Sequence, residues 1–159
     1  MTANLKQAVL WEQAQGKKVQ CFLCAHRCLI AEGKTGICAV RRNVDGVLYS
    51  LNYNKVVSAN PDPIEKKPLF HFQPGSKSFS IATMGCNFRC EFCQNWQISQ
   101  AVVETGEFEG EAISPEQIVN AAIQSGCKSI SYTYTEPTIF YEYALDIMKI
   151  AKKSELKNV

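Results

Sequence analysis

The chain has 159 residues, 46% of them hydrophobic and 20% charged, which excludes a disordered segment and matches one globular domain with a sizeable core. Seventeen basic residues against fifteen acidic ones leave a net charge of +2, too small to argue for nucleic acid as a partner. No apolar run approaches the roughly 18–20 residues of a membrane span, and Met1-Thr2-Ala3-Asn4-Leu5-Lys6 lacks the apolar core of a secretory signal.

Leu5, Ala8, Val9 and Trp11 predict a short helix over residues 4–15. A cysteine-rich knuckle follows, Cys21-x2-Cys24-x3-Cys28-x9-Cys38. Eight cysteines without a signal peptide point to metal binding in a reducing cytoplasm rather than to a disulfide scaffold. Four of them within eighteen residues suit a closed tetrathiolate site, with zinc the simplest occupant. An auxiliary iron–sulfur cluster would use the same ligands. His26 lies inside this loop, where packing or a hydrogen bond to a sulfur is a simpler role than ligation. Gly33-Lys34-Thr35 has the look of a phosphate-loop end, but the required leading glycine position is Cys28, and that reading fails. Val47–Tyr53 alternates as a strand after an Asp45-Gly46 turn. Asn60-Pro61-Asp62-Pro63 is expected to break regular structure and end an N-terminal segment at residue 62, with 63–76 as a connector. Lys66, Lys67 and His71 in this connector have no evident partner, and no role is assigned to them.

From residue 77 the pattern changes. Ser78–Thr83 reads as a buried strand that runs into Cys86-x3-Cys90-x2-Cys93. Three thiolates on one short loop suit an iron–sulfur cubane, whose full set would be four ligands. The iron without a protein ligand can then coordinate a small molecule, as open metal sites do. Positions 86, 90 and 93 also match a helical core stripe, but Gly85 and Asn87 after a strand argue for a loop with free N–H groups near the sulfurs. Ser114, Pro115 and Gln117 form a capping box for a helix whose face is Ile118, Val119, Ala122 and Ile123 and whose end is Gly126. Cys127 stands alone and reads as a buried, inert thiol. Ser129–Tyr134 is a second strand, and 138–153 a second helix built on Ile139, Phe140, Tyr143, Ile147 and Ile150. Strand, helix, strand, helix implies parallel β/α units. Leu156–Val159 looks like a turn leading into a third strand that is not expected to arrive within the chain. Two such units cannot close a barrel, so the chain is expected to be the N-terminal piece of a longer protein.

The cysteine spacing at 86, 90 and 93, with aromatic Phe92 before the last cysteine, resembles the signature of the radical S-adenosylmethionine (SAM) superfamily. The stretch from Cys21 through Gln100 is similar to the radical SAM enzyme of the AmmeMemoRadiSam system, a family likened to pyruvate formate-lyase activating enzyme. Asp62-Pro63-Ile64-Glu65-Lys66-Lys67-Pro68-Leu69-Phe70-His71-Phe72 and Cys93-Gln94-Asn95-Trp96 carry that likeness, which covers essentially the whole chain. The resemblance implies an α/β fold, the first two units (77–159) of a partial (βα)6 TIM-like barrel behind a small cysteine-rich metal-binding segment (1–62). It implies a [4Fe–4S] cluster on Cys86, Cys90 and Cys93, with SAM chelated at the open iron. One electron from a flavodoxin- or ferredoxin-type donor would cleave SAM to methionine and a 5′-deoxyadenosyl radical that abstracts hydrogen from a substrate. Likeness to activating enzymes suggests a protein substrate.

The same resemblance places Phe92 beside the adenine. Phe88 and Trp96 either wall the site against solvent or simply pack. Many of these enzymes carry Gly-Gly-Glu-Pro where this chain has Tyr134-Thr135-Glu136-Pro137. Glu136 is then expected to pair with the SAM ammonium group and Thr135 to add a hydrogen bond, unless Glu136 serves only as a helix cap. The alternative from a different class is a non-catalytic module binding zinc and an iron–sulfur centre.

Overall fold

The computed structural model describes residues 5–159, and it opens with short strands. β1 (Lys6–Gln7) and β2 (Trp11–Gln13) replace the helix expected over 4–15, whose first residue lies outside the described ones. Two causes defeat the local periodicity. Leu10 takes a left-handed φ of 57°, which interrupts any helix, and β1 finds a distant partner. That partner belongs to a hairpin of β5 (Arg41–Val44) and β6 (Val47–Ser50), giving a sheet ordered β1-β6-β5. The expected Asp45-Gly46 turn closes the hairpin with φ values of 52° and 79°, the two left-handed residues that a tight turn of this twist requires. β2 pairs with β3 (Val19–Cys21) and β3 with β4 (Leu29–Ile30) in a second small sheet. Ala8, Val19, Cys21, Ile30 and Leu48 form the core of this half.

β7 (Lys55–Pro63) corrects a second expectation. Asn60-Pro61-Asp62-Pro63 does not break the structure; it continues a strand antiparallel to β8 (Lys77–Thr83). Prolines are tolerated because β9 (Glu111–Ala112) covers only the Lys55–Val56 end of the outer side, so the missing N–H groups face an unpaired edge. The expected division at residue 62 thus runs between two paired strands, and 63–76 is their connection.

After the cysteine loop comes α1 (Trp96–Thr105), followed by β9, α2 (Pro115–Gln124), β10 (Ser129–Tyr132), α3 (Tyr141–Lys153) and β11 (Lys157–Asn158). The large sheet is ordered β11-β10-β8-β7-β9; β8, β10 and β11 run parallel, β7 runs antiparallel to β8, and β9 antiparallel to β7. The third strand expected after Leu156 therefore begins within the chain. One face of β8 and β10 presents Phe79, Ile81, Ile130 and Tyr132 to α2 and α3, where Ile118, Ala122, Phe140, Tyr143 and Ile147 complete the main core. Fully burying a side chain such as Phe140 or Ile147 contributes about 1.5–3 kcal/mol. Cys127 belongs to this core, and burial pushes its thiol pKa up, as an inert cysteine requires. Ile123, expected on the same apolar face, is exposed instead. The opposite face of the sheet is polar, carrying Asp62, Ser78, Ser80, Ser129 and Ser131 at alternate positions.

Candidate active site

Parallel strands place the loops that leave their C-terminal ends side by side, and here two such loops carry the predicted site. β8 ends at Thr83 and leads through Met84-Gly85 into the triad of Cys86, Cys90 and Cys93. Gly85 has a left-handed φ of 96°, and a Cβ there would meet Val40 Cγ1 at 2.3 Å, so only glycine lets the loop start this close to the N-terminal half. Neighbouring β10 leads into Tyr134-Thr135-Glu136-Pro137. Asn95, two residues past Cys93, donates from Nδ2 to the Tyr134 carbonyl at 3.1 Å and ties the loops together.

The triad is a loop, as Gly85 and Asn87 suggested, and its thiols are free. Cys90 is exposed, while Cys86 and Cys93 are half-buried. The Phe88 N–H donates to Cys86 Sγ at 3.4 Å, and Cys93 Sγ lies 3.6 Å from Ser99 Oγ. Among the described residues, no three Cys, His, Asp or Glu side chains stand close enough to hold a metal ion as they are placed. The donor set still fits a thiolate-held cluster: three unbridged cysteines lie on one accessible loop, with neighbouring groups already bonding to two sulfurs. Phe88 is 53%, Phe92 87% and Trp96 54% exposed, so none of the three is taken up in the protein's own packing. Trp96 instead begins α1, a helix missing from the sequence reading although Gly106 marks its left-handed end.

The second loop has commitments of its own. Glu136 caps the 3-10 turn Pro137–Phe140, its Oε1 accepting from the Thr138 N–H at 3.2 Å and Thr138 Oγ1 at 2.5 Å. Its Oε2 makes no hydrogen bond among the described residues. Thr135 is buried, and its hydroxyl donates to the Thr83 carbonyl at 3.1 Å, leaving lone pairs free to accept. Tyr134 has a φ of 68°, a left-handed conformation that a bulky side chain rarely adopts. The backbone therefore takes a glycine-like turn although tyrosine replaces a glycine of the Gly-Gly-Glu-Pro pattern.

The N-terminal cysteines share one pocket. Cys21, Cys24, Cys28 and Cys38 all line one enclosed cavity of about 20 Å³, with Arg41 and Thr138 beside them. Burial raises the pKa of Cys21 and pushes Cys38 up to about 11, so without a cation these thiols keep their protons. His26 is not among the cavity's residues. Its Nε2–H donates to the Asn87 carbonyl at 2.8 Å, linking the knuckle to the triad loop. An open cleft of about 620 Å³ lies along this junction, lined by Cys24, His26, Asn87, Phe88, Arg89 and Glu136.

Lys66 and Lys67, left without a role by the sequence, both reach Asp62 on the polar sheet face, together with Tyr134 and Ser80. Only the Asp62–Lys66 spacing of four residues hinted at this group. No helix among the described residues is long and apolar enough to cross a membrane.

Comparison with known proteins reaches the same half of the chain. The family model described as the radical SAM superfamily matches residues 80–159, from β8 to the end. An uncharacterized protein of Methanocaldococcus jannaschii is 47% identical over 155 residues, which is 98% of this chain and 46% of that protein. A second uncharacterized protein of the same organism is 33% identical over 81 residues, 50% of this chain and 19% of that protein. The chain thus spans less than half the length of these curated relatives. No solved structure matches it.

Proposed function

The chain belongs to the radical SAM superfamily, and from that premise we propose that Cys86, Cys90 and Cys93 hold its [4Fe–4S] cluster while Glu136 receives SAM. Membership in the superfamily supports an enzyme that uses a [4Fe–4S] cluster and SAM for radical chemistry. A [4Fe–4S] cluster held there would supply the one electron that splits SAM into methionine and a 5′-deoxyadenosyl radical. One observation carries the residue assignment: the triad loop and the Glu136 loop leave adjacent parallel strands and are joined by the Asn95–Tyr134 bond. Glu136 Oε2, unengaged among the described residues, can accept from the SAM ammonium group while Oε1 keeps its cap. Thr135 can accept a second hydrogen bond through its free lone pairs.

In the N-terminal half, Cys21, Cys24, Cys28 and Cys38 bind zinc in this reading. Four thiols on one pocket supply the closed tetrathiolate donor set for which zinc is the simplest occupant. The substrate is a protein on the analogy of activating enzymes, the electron comes from a flavodoxin- or ferredoxin-type partner, and the enzyme works in the cytoplasm. A non-catalytic zinc and iron–sulfur module remains the rival reading, with the capping role of Glu136 in its favour.

Anaerobic reconstitution followed by iron and zinc counts, then dithionite and SAM, separates the readings. The expected result is a four-iron cluster and 5′-deoxyadenosine, with iron lost in Cys86→Ser, Cys90→Ser and Cys93→Ser. Iron content unchanged in all three variants sinks the ligand assignment. A full cluster that yields no 5′-deoxyadenosine favours the non-catalytic module.

A further inference from the structure

Two adjacent lysines converge on one carboxylate beside the proposed cofactor site. Lys66 Nζ donates to Asp62 Oδ1 at 2.8 Å and Lys67 Nζ to Asp62 Oδ2 at 3.0 Å. Tyr134 donates its hydroxyl proton to Oδ2, which also accepts from Ser80 Oγ at 2.7 Å. In turn the Tyr134 hydroxyl oxygen accepts from both lysines at 3.4 Å, and its ring lies 4.5 Å from Lys67 Nζ and 5.6 Å from Lys66 Nζ. Counting donors is informative. Asp62 and the phenol are fully engaged, yet each ammonium has used two of its three N–H groups among the described residues. Charge points the same way, since two cations face one anion and one positive charge is left over. One lysine would have neutralised Asp62, and the Lys67 side chain is only 9% exposed, a costly place for an uncompensated cation. Lys66, at 55%, leaves the group open to solvent.

We infer that the Asp62–Lys66–Lys67–Tyr134 cluster is a binding site for an anionic group, a carboxylate or a phosphate, of the substrate. The inference rests on the radical SAM reading for the word substrate, but the anion site stands on its own geometry. Asp62 and the Tyr134 ring hold the two ammonium groups in place, and the incoming anion takes their two free N–H donors without displacing Asp62. Because Tyr134 lies two residues before Glu136 and is tied to Asn95, the anchored end of the substrate lies against the loop that receives SAM.

The test is calorimetric titration of the chain with inorganic phosphate and with succinate, for the wild type, Lys66→Gln and the exposed helix-end control Lys153→Gln. Lys66→Gln leaves the Asp62–Lys67 pair in place, and a circular dichroism melt verifies its fold. The expected result is saturable binding of at least one anion, weakened about tenfold in Lys66→Gln and unchanged in Lys153→Gln. Preference for phosphate or for succinate then identifies the substrate's group. Absence of binding to the wild type, or equal weakening in the two variants, overturns the inference. Anion binding needs no cluster, so 5′-deoxyadenosine formation without anion binding sinks this inference alone, and the reverse outcome sinks the radical assignment while the site stands.

Discussion

Asp62 lies on a buried sheet face and still ionises readily. Burial works against its charge, but donors from Lys66, Tyr134, Ser80 and Lys67 outweigh that and hold its pKa well below the usual carboxylate range. Its folded value therefore lies under the unfolded one of about 3.9. The resulting stabilisation is complete above the unfolded value and is lost as pH falls through the depressed folded one. Urea unfolding followed from neutral pH down to about pH 2 is expected to show a shallower acid decline in Asp62→Asn than in the wild type. Parallel declines would show that Asp62 contributes nothing to acid stability. Little of this group is legible in the sequence, because its members come from three separated stretches and Asp62 stands 72 residues from Tyr134. The cysteine triad is the opposite case. Its three residues share one loop, and thiolate chemistry restricts what such spacing can do.

Elements with purely local causes follow the sequence closely. In α2, Ser114 Oγ accepts from the Gln117 N–H at 3.3 Å while Gln117 Oε1 accepts from the Ser114 N–H at 2.7 Å, the expected capping box. Ser114→Ala is expected to cost about 1 kcal/mol in denaturant unfolding. No change would mean that Pro115 and packing alone start the helix. Elements with distant causes escaped the sequence reading. β1 exists because β6 offers it an edge, and β7 survives its prolines because the sheet leaves one side of it unpaired. Few buried residues mark α1, only Ser99 and Val102, so its apolar stripe is too thin to read. The Glu136 strand end was legible and a capping role for it was one of the readings, but the 3-10 form of the turn it caps is announced by no periodicity.

At the scale of the molecule, one buried ion pair fastens the N-terminal sheets to the α/β half. Arg41 Nη2 donates to Glu142 Oε1 at 2.7 Å, with side chains only 2% and 1% exposed, and also to the Val9 carbonyl at 2.6 Å. Arg41 Nε and Nη1 and Glu142 Oε2 have no partner among the described residues, so the pair is incompletely satisfied there. Arg41→Met is expected to cost about 3–5 kcal/mol because it strands a buried carboxylate. The double variant Arg41→Met/Glu142→Leu is expected to lose less than that single variant, and a chemical-denaturation double-mutant cycle measures the difference. Strict additivity would show that the two charges do not act as a pair. Within the α/β half stands Tyr134, whose φ of 68° opposes its own side chain. Glycine would relax that turn by roughly 1–2 kcal/mol, and it would leave Asp62 and two lysines without the phenol that gathers them. Where main-chain ease and side-chain chemistry conflict, this molecule keeps the chemistry, so Tyr134 is better understood as a recognition element than as a flawed turn.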